Sequence, residues 1–309
     1  MRNVCTGAGK MERKGLKILV AAMFIMIGGG LMLYPFAANY VFEHRQESVI
    51  RTYEDAVSKT GEQEIAEMFA KAEEYNESLL RGNVQLRDPF TEDAGGYGRE
   101  DYFSMLDVDG TGIMGYVSIP GIDVFLPVYH GTSEKVLENG IGHLEGTSLP
   151  VGGSGTHSVL TGHTGLSDAK LFTDLTLLEE GDFFFVTVLG EKLAYVIDQI
   201  MVVEPSDTAA LGIEEGEDYC TLLTCTPYGI NSHRLLVRGK RTGYTEKMEE
   251  VMETEPKAAD SEWMLQYRRS LMFSWILIAT AFAGMLLRNI LRKKGIAPRN
   301  LKRITAGSR

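Results

Sequence analysis

The 309-residue sequence predicts a mainly β fold: a closed or nearly closed barrel, helices N-terminal to it, and one transmembrane helix at each end of the chain. Three observations carry this. From Ile113 onward, short apolar or alternating runs recur between glycine and proline breaks, the pattern of many short strands. Ile65, Met68, Phe69, Ala72, Tyr75 and Leu79 recur at helical spacing. Two uncharged apolar runs, Ile18–Ala38 and Leu271–Leu287, lie beside basic ends.

The elements follow in chain order. Residues 1–17 form a basic cytoplasmic tail and 18–38 an N-terminal anchor long enough to cross a hydrocarbon core of roughly 30 Å. A cleaved signal peptide is the competing reading, but this run is longer than the usual core of such a peptide. Residues 41–82 read as a helical region, with Thr60–Gln63 as a capping box. Residues 83–98 are loop-like. The barrel spans 113–241, with strands expected in IMGYVSIP, HSVLTG, FFFVTVLG, KLAYVIDQIMVV, YCTLLTC and RLLVRGKR, and a helical turn within 174–181. The acidic loop 204–218 precedes the strand of Cys225 and borders any groove there. An acidic stalk, 242–267, leads to the second span, 271–287, and a basic cytoplasmic tail, 288–309.

Charge is unevenly placed. Val41–Tyr267 holds 41 acidic and 16 basic residues, while the ends hold 15 basic residues and one acid. The acidic middle argues against nucleic acid as a partner. The basic flanks put both termini in the cytoplasm and the middle outside, with Arg268 and Arg269 slightly against that orientation.

One stretch carries chemistry: TLLTCTPYGINSHRLLVRGKR, Thr221–Arg241. Cys225 ends one apolar run and Arg234 begins the next, with the turn-forming Pro227, Gly229 and Asn231 between them. Adjacent strands joined by that loop bring the thiol and the guanidinium to one end of a sheet. Cys220 and Cys225 are five residues apart, so on one strand they face opposite sides and cannot bridge. A thiol beside a fixed cation suits acyl transfer through a thioester, with the guanidinium holding a carbonyl or oxyanion. Upstream, HSVLTGH ends at His163, one of five histidines in the barrel region with His130, His143, His157 and His233. No HExxH or paired CxxC motif is present, and no cofactor or metal is expected. The carboxylates leave a calcium site open, though no EF-hand loop appears.

TLLTCTPYG with NSHRLLVRGKR closely resembles the sortases, cysteine transpeptidases of the Gram-positive surface, from about Gly115 to Arg241. VLTGHTGLSDAKLFTDL resembles their histidine segment, and RDPF, Arg87–Phe90, resembles the lid motif of class C, pilin-polymerising sortases. The resemblance implies a sortase-type barrel with Cys225 as nucleophile, His163 as general acid and base, and Arg234 as oxyanion or carbonyl ligand. It implies a lid of Asp88, Pro89 and Phe90, in which Asp88 pairs with Arg234 and Phe90 covers the thiol. It also implies the substrates: pilins carrying an LPXTG-like signal, cut between Thr and Gly, and an acceptor lysine on another pilin. Membrane lipid completes the expected partners. Thr164 stands where arginine is expected and Ser167 where proline is common. The alternatives are a sortase that anchors proteins to peptidoglycan and a catalytically silent pilus-assembly module.

Overall fold

The computed structural model describes residues 8–82, 84–91, 101–165, 169–245, 248 and 262–293. Cys5, Ser167, residues 83 and 92–98 of the expected lid, most of the stalk, and residues 1–7 and 294–309 of the tails lie outside the described residues. Chain contacts divide it into two units, Met1–Ser261 and Glu262–Arg309.

The first unit is built on eight strands: β1 Ile113–Ile119, β2 Val124–His130, β3 Ile141–His143, β4 Thr156–Thr161, β5 Phe183–Val188, β6 Glu191–Val203, β7 Asp218–Thr226 and β8 His233–Thr242. They close into a barrel in the order β1-β2-β3-β4-β7-β8-β6-β5. The pairs β2–β3 and β4–β7 are parallel and the others antiparallel. Closure leaves no unpaired sheet edge.

Two helices precede the barrel, α1 Ala8–Lys59 and α2 Glu62–Arg81. The first runs unbroken through Pro35 and across the boundary expected near residue 40. Tyr53 docks it, donating from its hydroxyl to Met114 O (3.1 Å) and accepting from Leu189 N (2.8 Å). The apolar face of α2 packs as its spacing requires, with Ala72, Tyr75 and Leu79 in the core. Asn76 fixes α2 from the polar side by a reciprocal pair with Leu149, accepting at 2.7 Å and donating at 3.1 Å. The capping box at Thr60–Gln63 does not form. The N-cap is Gly61, without a side-chain cap bond, while the Thr60 hydroxyl donates back to Ala56 O at 3.0 Å. A threonine at the end of one helix can satisfy that helix's last carbonyls instead of the next helix's first amides.

The β4 and β7 strands separate two of the apolar clusters. Cys220 and Leu222 of β7 lie with Leu160 of β4 in the barrel core. Leu223 instead joins Leu144, Val159, Val203, Leu211 and Leu236 in a second cluster. Alternation along β7 puts Cys225 on the Leu223 side, outside the barrel core. A turn at Ala209–Leu211, within the acidic 204–218 loop, delivers Leu211 to this second cluster. Residues Thr173–Leu177 form the helical turn expected in that region. A short helix, α3 Glu134–Asn139, connects β2 to β3.

The second unit is one helix, α4 Glu262–Lys293. Among the described residues, two stretches are long and apolar enough to cross a membrane: Ile25–Lys59, near the N-terminus, and Arg268–Arg288.

Candidate active site

Cys225, the next-to-last residue of β7, faces Arg234, near the start of β8, as its direct cross-strand partner. The turn between them is closed by Ile230 N and Asn231 N, both donating to Pro227 O (3.1 and 2.9 Å), with Asn231 at φ +58°. Asparagine tolerates that left-handed conformation better than most side chains. This turn also orients the arginine, whose Nη1 donates to Asn231 O (3.0 Å) and His233 O (2.9 Å). Its other donors are therefore aimed away from the loop.

His163 lies two residues beyond β4, and three backbone links set its place beside β7. Gly162 N donates to Leu223 O (3.0 Å), the Thr224 hydroxyl donates to Gly162 O (2.7 Å), and Phe172 N donates to His163 O (3.1 Å). Glycine is required at 162 by close approach. A Cβ there would lie 2.7 Å from both Ile141 Cδ1 and Phe172 Cδ2.

Asp88 holds the free edge of Arg234 with both carboxylate oxygens, receiving Nε at 2.8 Å and Nη2 at 2.6 Å. Both side chains are nearly buried, at 8 % and 10 % exposed. A bidentate pair of this kind is among the stronger charge-assisted contacts. Thr91 N and its hydroxyl both donate to Asp88 O, turning the chain there. Phe90 then reaches back over the site. Its ring centroid is 5.5 Å from that of His163 and 5.1 Å from the Arg234 guanidinium carbon. Leu86 and Phe90 pack on the second apolar cluster, so the segment lies along the outer face of β4 and β7. Nothing in the sequence marks Leu86, a single leucine in a loop.

The electrostatics match a closed site. Burial pushes the Cys225 thiol up to about 11, Arg234 acts against this and Asp88 adds to it. Burial lowers the His163 imidazole, while Glu138 and Glu134 of α3 pull it back up. Among the described residues, no hydrogen bond joins Cys225 to His163; the Phe90 ring lies tilted against the imidazole, at 36° between planes.

The other barrel histidines are occupied structurally. His143 is fully buried between Tyr102 and Ser148, and His157 is bonded to Gly212 O and Thr221. His130 has both ring nitrogens on backbone carbonyls, Gly112 O at 3.0 Å and Met105 O at 2.6 Å. His233 pairs with Glu204 at 3.2 Å. Cys220 is a free, fully buried thiol in the core. Among the described residues, no group of three or more histidine, cysteine or carboxylate side chains is placed to hold a metal.

A cavity of about 780 Å³ opens beside Cys225 and His163, bounded by Pro89–Thr91 on one side and by Gly131–Glu134 and Glu145 on another. A barrel end carrying a thiol, an imidazole and a fixed guanidinium has the groups needed for acyl transfer.

Comparison with known proteins shows the family and the fold. The sortase domain model matches residues 117–242. A solved sortase C from Streptococcus pneumoniae is 48% identical with a TM-score of 0.59, covering 64% of this chain and 98% of its own. A pilus-related sortase C of Group B Streptococcus is 45% identical with a TM-score of 0.58, covering 62% of this chain and 96% of its own. Sortase A of Bacillus anthracis is 25% identical over 235 residues, which is 75% of this chain and 98% of that relative.

Proposed function

We propose that this chain, which belongs to the sortase family and is one of its class C cysteine transpeptidases, polymerises pilins at the outer face of the membrane. The observation that carries the proposal is the segment Leu86–Phe90, laid along the β4–β7 face with Asp88 on Arg234 and Phe90 over His163. It fills the groove as an extended peptide would, and the pilus-related sortase C of Group B Streptococcus is among the relatives of this chain.

The reaction follows from the placement of the side chains. With the lid displaced, the Arg234 edge that Asp88 held is free to grip the substrate carbonyl. Cys225 attacks the threonine carbonyl of an LPXTG-like signal, and Arg234 stabilises the oxyanion that develops. His163 protonates the departing glycine amine, leaving a thioester on Cys225. A lysine amine of a second pilin then attacks that carbonyl, His163 receives its proton, and an isopeptide bond links the two subunits.

The test is intact mass spectrometry of the full chain in detergent after incubation with an LPXTG peptide. The Phe90→Ala variant should gain the mass of the peptide up to its threonine, and Cys225→Ala should gain nothing. An unmodified Phe90→Ala protein would contradict either the motif or the nucleophile, and a panel of related peptides separates the two.

The two apolar helices and their basic flanks support a two-span topology, with the barrel outside and both termini in the cytoplasm. Cys5 then reports the side of the N-terminus. In intact protoplasts a membrane-impermeant maleimide should leave Cys5 unlabelled, and lysis should expose it. Labelling of Cys5 before lysis would reverse the topology.

A further inference from the structure

The backbone at His163 is held by residues that follow it in the chain, because Phe172 N donates to His163 O at 3.1 Å. The residue before Phe172 is Leu171, whose φ of +42° lies in the left-handed region. A leucine there is strained, and it stays so only where its surroundings hold it. On its C-terminal side, Phe172 is fully buried in the barrel core and bonded to His163. On its N-terminal side, Lys170 N donates to Asn39 Oδ1 of α1 at 2.8 Å, across 131 residues of sequence. The Lys170 side chain is spent on Ile122 O (2.8 Å) and Asp174 (2.7 Å), so this residue is fixed at both ends. Asn39 is oriented in turn by Glu43, which accepts from its Nδ2 at 2.7 Å and so leaves Oδ1 for Lys170. Asn39 is also the first residue beyond the apolar run Ile18–Ala38.

We infer that Asn39 is a positioning residue for His163: by holding Lys170 it keeps Leu171 in its left-handed turn and Phe172 N on His163 O. The inference rests on the transpeptidase reading above and adds a residue of α1, outside the barrel, to the support of its general acid. Without the acceptor at Asn39, Leu171 is free to relax toward negative φ, which turns the Phe172 amide away from His163 O. The imidazole then loses its fixed place in the cavity that it lines with Cys225. The thiol keeps its own place, since the β7–β8 pairing holds Cys225. The loss should therefore be confined to steps that need a proton from His163. Attack of the Cys225 sulfur on a peptide breaks a C–N bond, and the amine leaves with a proton from His163. Attack on a thioester of the same acyl group breaks a C–S bond, and the thiolate leaves without one.

The full chain in detergent, carrying Phe90→Ala, provides the test in single-turnover acylation followed by intact mass. Two acyl donors are compared: an LPXTG peptide and a thioester of the same peptide ending at its threonine. Asn39→Ala should slow acylation by the peptide by about tenfold to a hundredfold, against less than about twofold for the thioester. Alkylation of Cys225 by iodoacetamide should stay within about twofold of the parent. Asn39→Asp combined with Glu43→Gln exchanges donor and acceptor between the two side chains and keeps an acceptor for Lys170 N. This double variant should recover most of the peptide rate. Tyr53→Phe removes two hydrogen bonds that dock α1 elsewhere, and should not change the ratio between the two donors. Equal losses for peptide and thioester in Asn39→Ala, or no loss for either, would overturn the positioning role. A selective loss in Tyr53→Phe as large as in Asn39→Ala would assign the effect to helix docking as a whole, and would overturn it too. If the parent accepts neither donor, the transpeptidase reading fails and the positioning role with it. If the parent accepts both and Asn39→Ala matches it, the positioning role alone fails.

Discussion

Replacing Asp88 by alanine is expected to raise the rate at which iodoacetamide alkylates Cys225 by about tenfold to a hundredfold near pH 7.5. The reasoning begins with the thiol, which burial and the nearby Asp88 carboxylate hold at about 11, against the pull of Arg234. Burial is the larger cause, so opening the site to solvent moves the thiol down, and the thiolate fraction near neutral pH rises with it. Removing Asp88 takes away a negative charge and frees the edge of Arg234, leaving its positive charge to act on the sulfur alone. It also removes the bidentate contact that fixes Phe90 over the site, so solvent and reagent gain access. The sign for pH follows directly: the midpoint of the alkylation profile should fall from near 11 toward the ordinary thiol range. Phe90→Ala should act the same way through access, with a smaller shift in midpoint because the Asp88–Arg234 pair remains. Asp88→Asn keeps an acceptor but loses the charge, and should fall between wild type and alanine. Rates and midpoints that match wild type in both Asp88→Ala and Phe90→Ala would exclude a gating role for the segment.

The Cys225–Arg234 strand pair is the part of the site most legible in the sequence, for local reasons. Cys225 and Arg234 stand nine residues apart at the mouth of a hairpin whose turn residues are visible, so their juxtaposition follows from short-range chemistry. His163 is different. It meets β7 through the parallel β4–β7 pairing, a contact between segments some sixty residues apart that no local pattern specifies. Five histidines fall in the barrel region, and residue type alone does not separate them; only the resemblance to sortases singled out His163. The structure separates them physically, since His143 and His157 are buried in bonded networks, His130 is spent on two carbonyls, and His233 pairs with Glu204. Pro127 lies inside β2 and β3 is three residues long, so neither displays a run that alternation could identify. The capping box failed because a threonine has two backbone choices, and a four-residue motif does not say which helix it will serve. The Glu134 and Glu138 pair on α3 has a visible i,i+4 spacing, but its influence on His163 depends on how that helix sits against β3.

Arg234→Ala is expected to slow acylation by an LPXTG peptide by about a hundredfold to a thousandfold, the scale of losing one oxyanion donor. The same substitution removes the anchor of Asp88 and unlocks the lid, so alkylation of Cys225 should be faster at a pH above its midpoint, where access alone sets the rate; near neutral pH the loss of the charge that pulls the thiol down opposes this. These opposite movements separate a residue that stabilises a transition state from one that only keeps a gate shut. A gate-only arginine would give faster acylation and faster alkylation together. Arg234→Lys is expected to recover little of the acylation rate. A single ammonium cannot reproduce a fork whose Nη1 is tied to Asn231 O and His233 O while Nε and Nη2 point at the groove. Single-turnover acylation of the full chain, followed by intact mass, measures the first quantity, and iodoacetamide labelling in the same preparation measures the second. Making both substitutions in an Asp88→Ala background isolates the chemistry, since the lid is already released and any further loss belongs to the carbonyl contact. In that background Arg234→Ala should still cost about a hundredfold or more in acylation. A loss of less than about twofold there would place the oxyanion donor elsewhere and leave Arg234 as the latch of the lid.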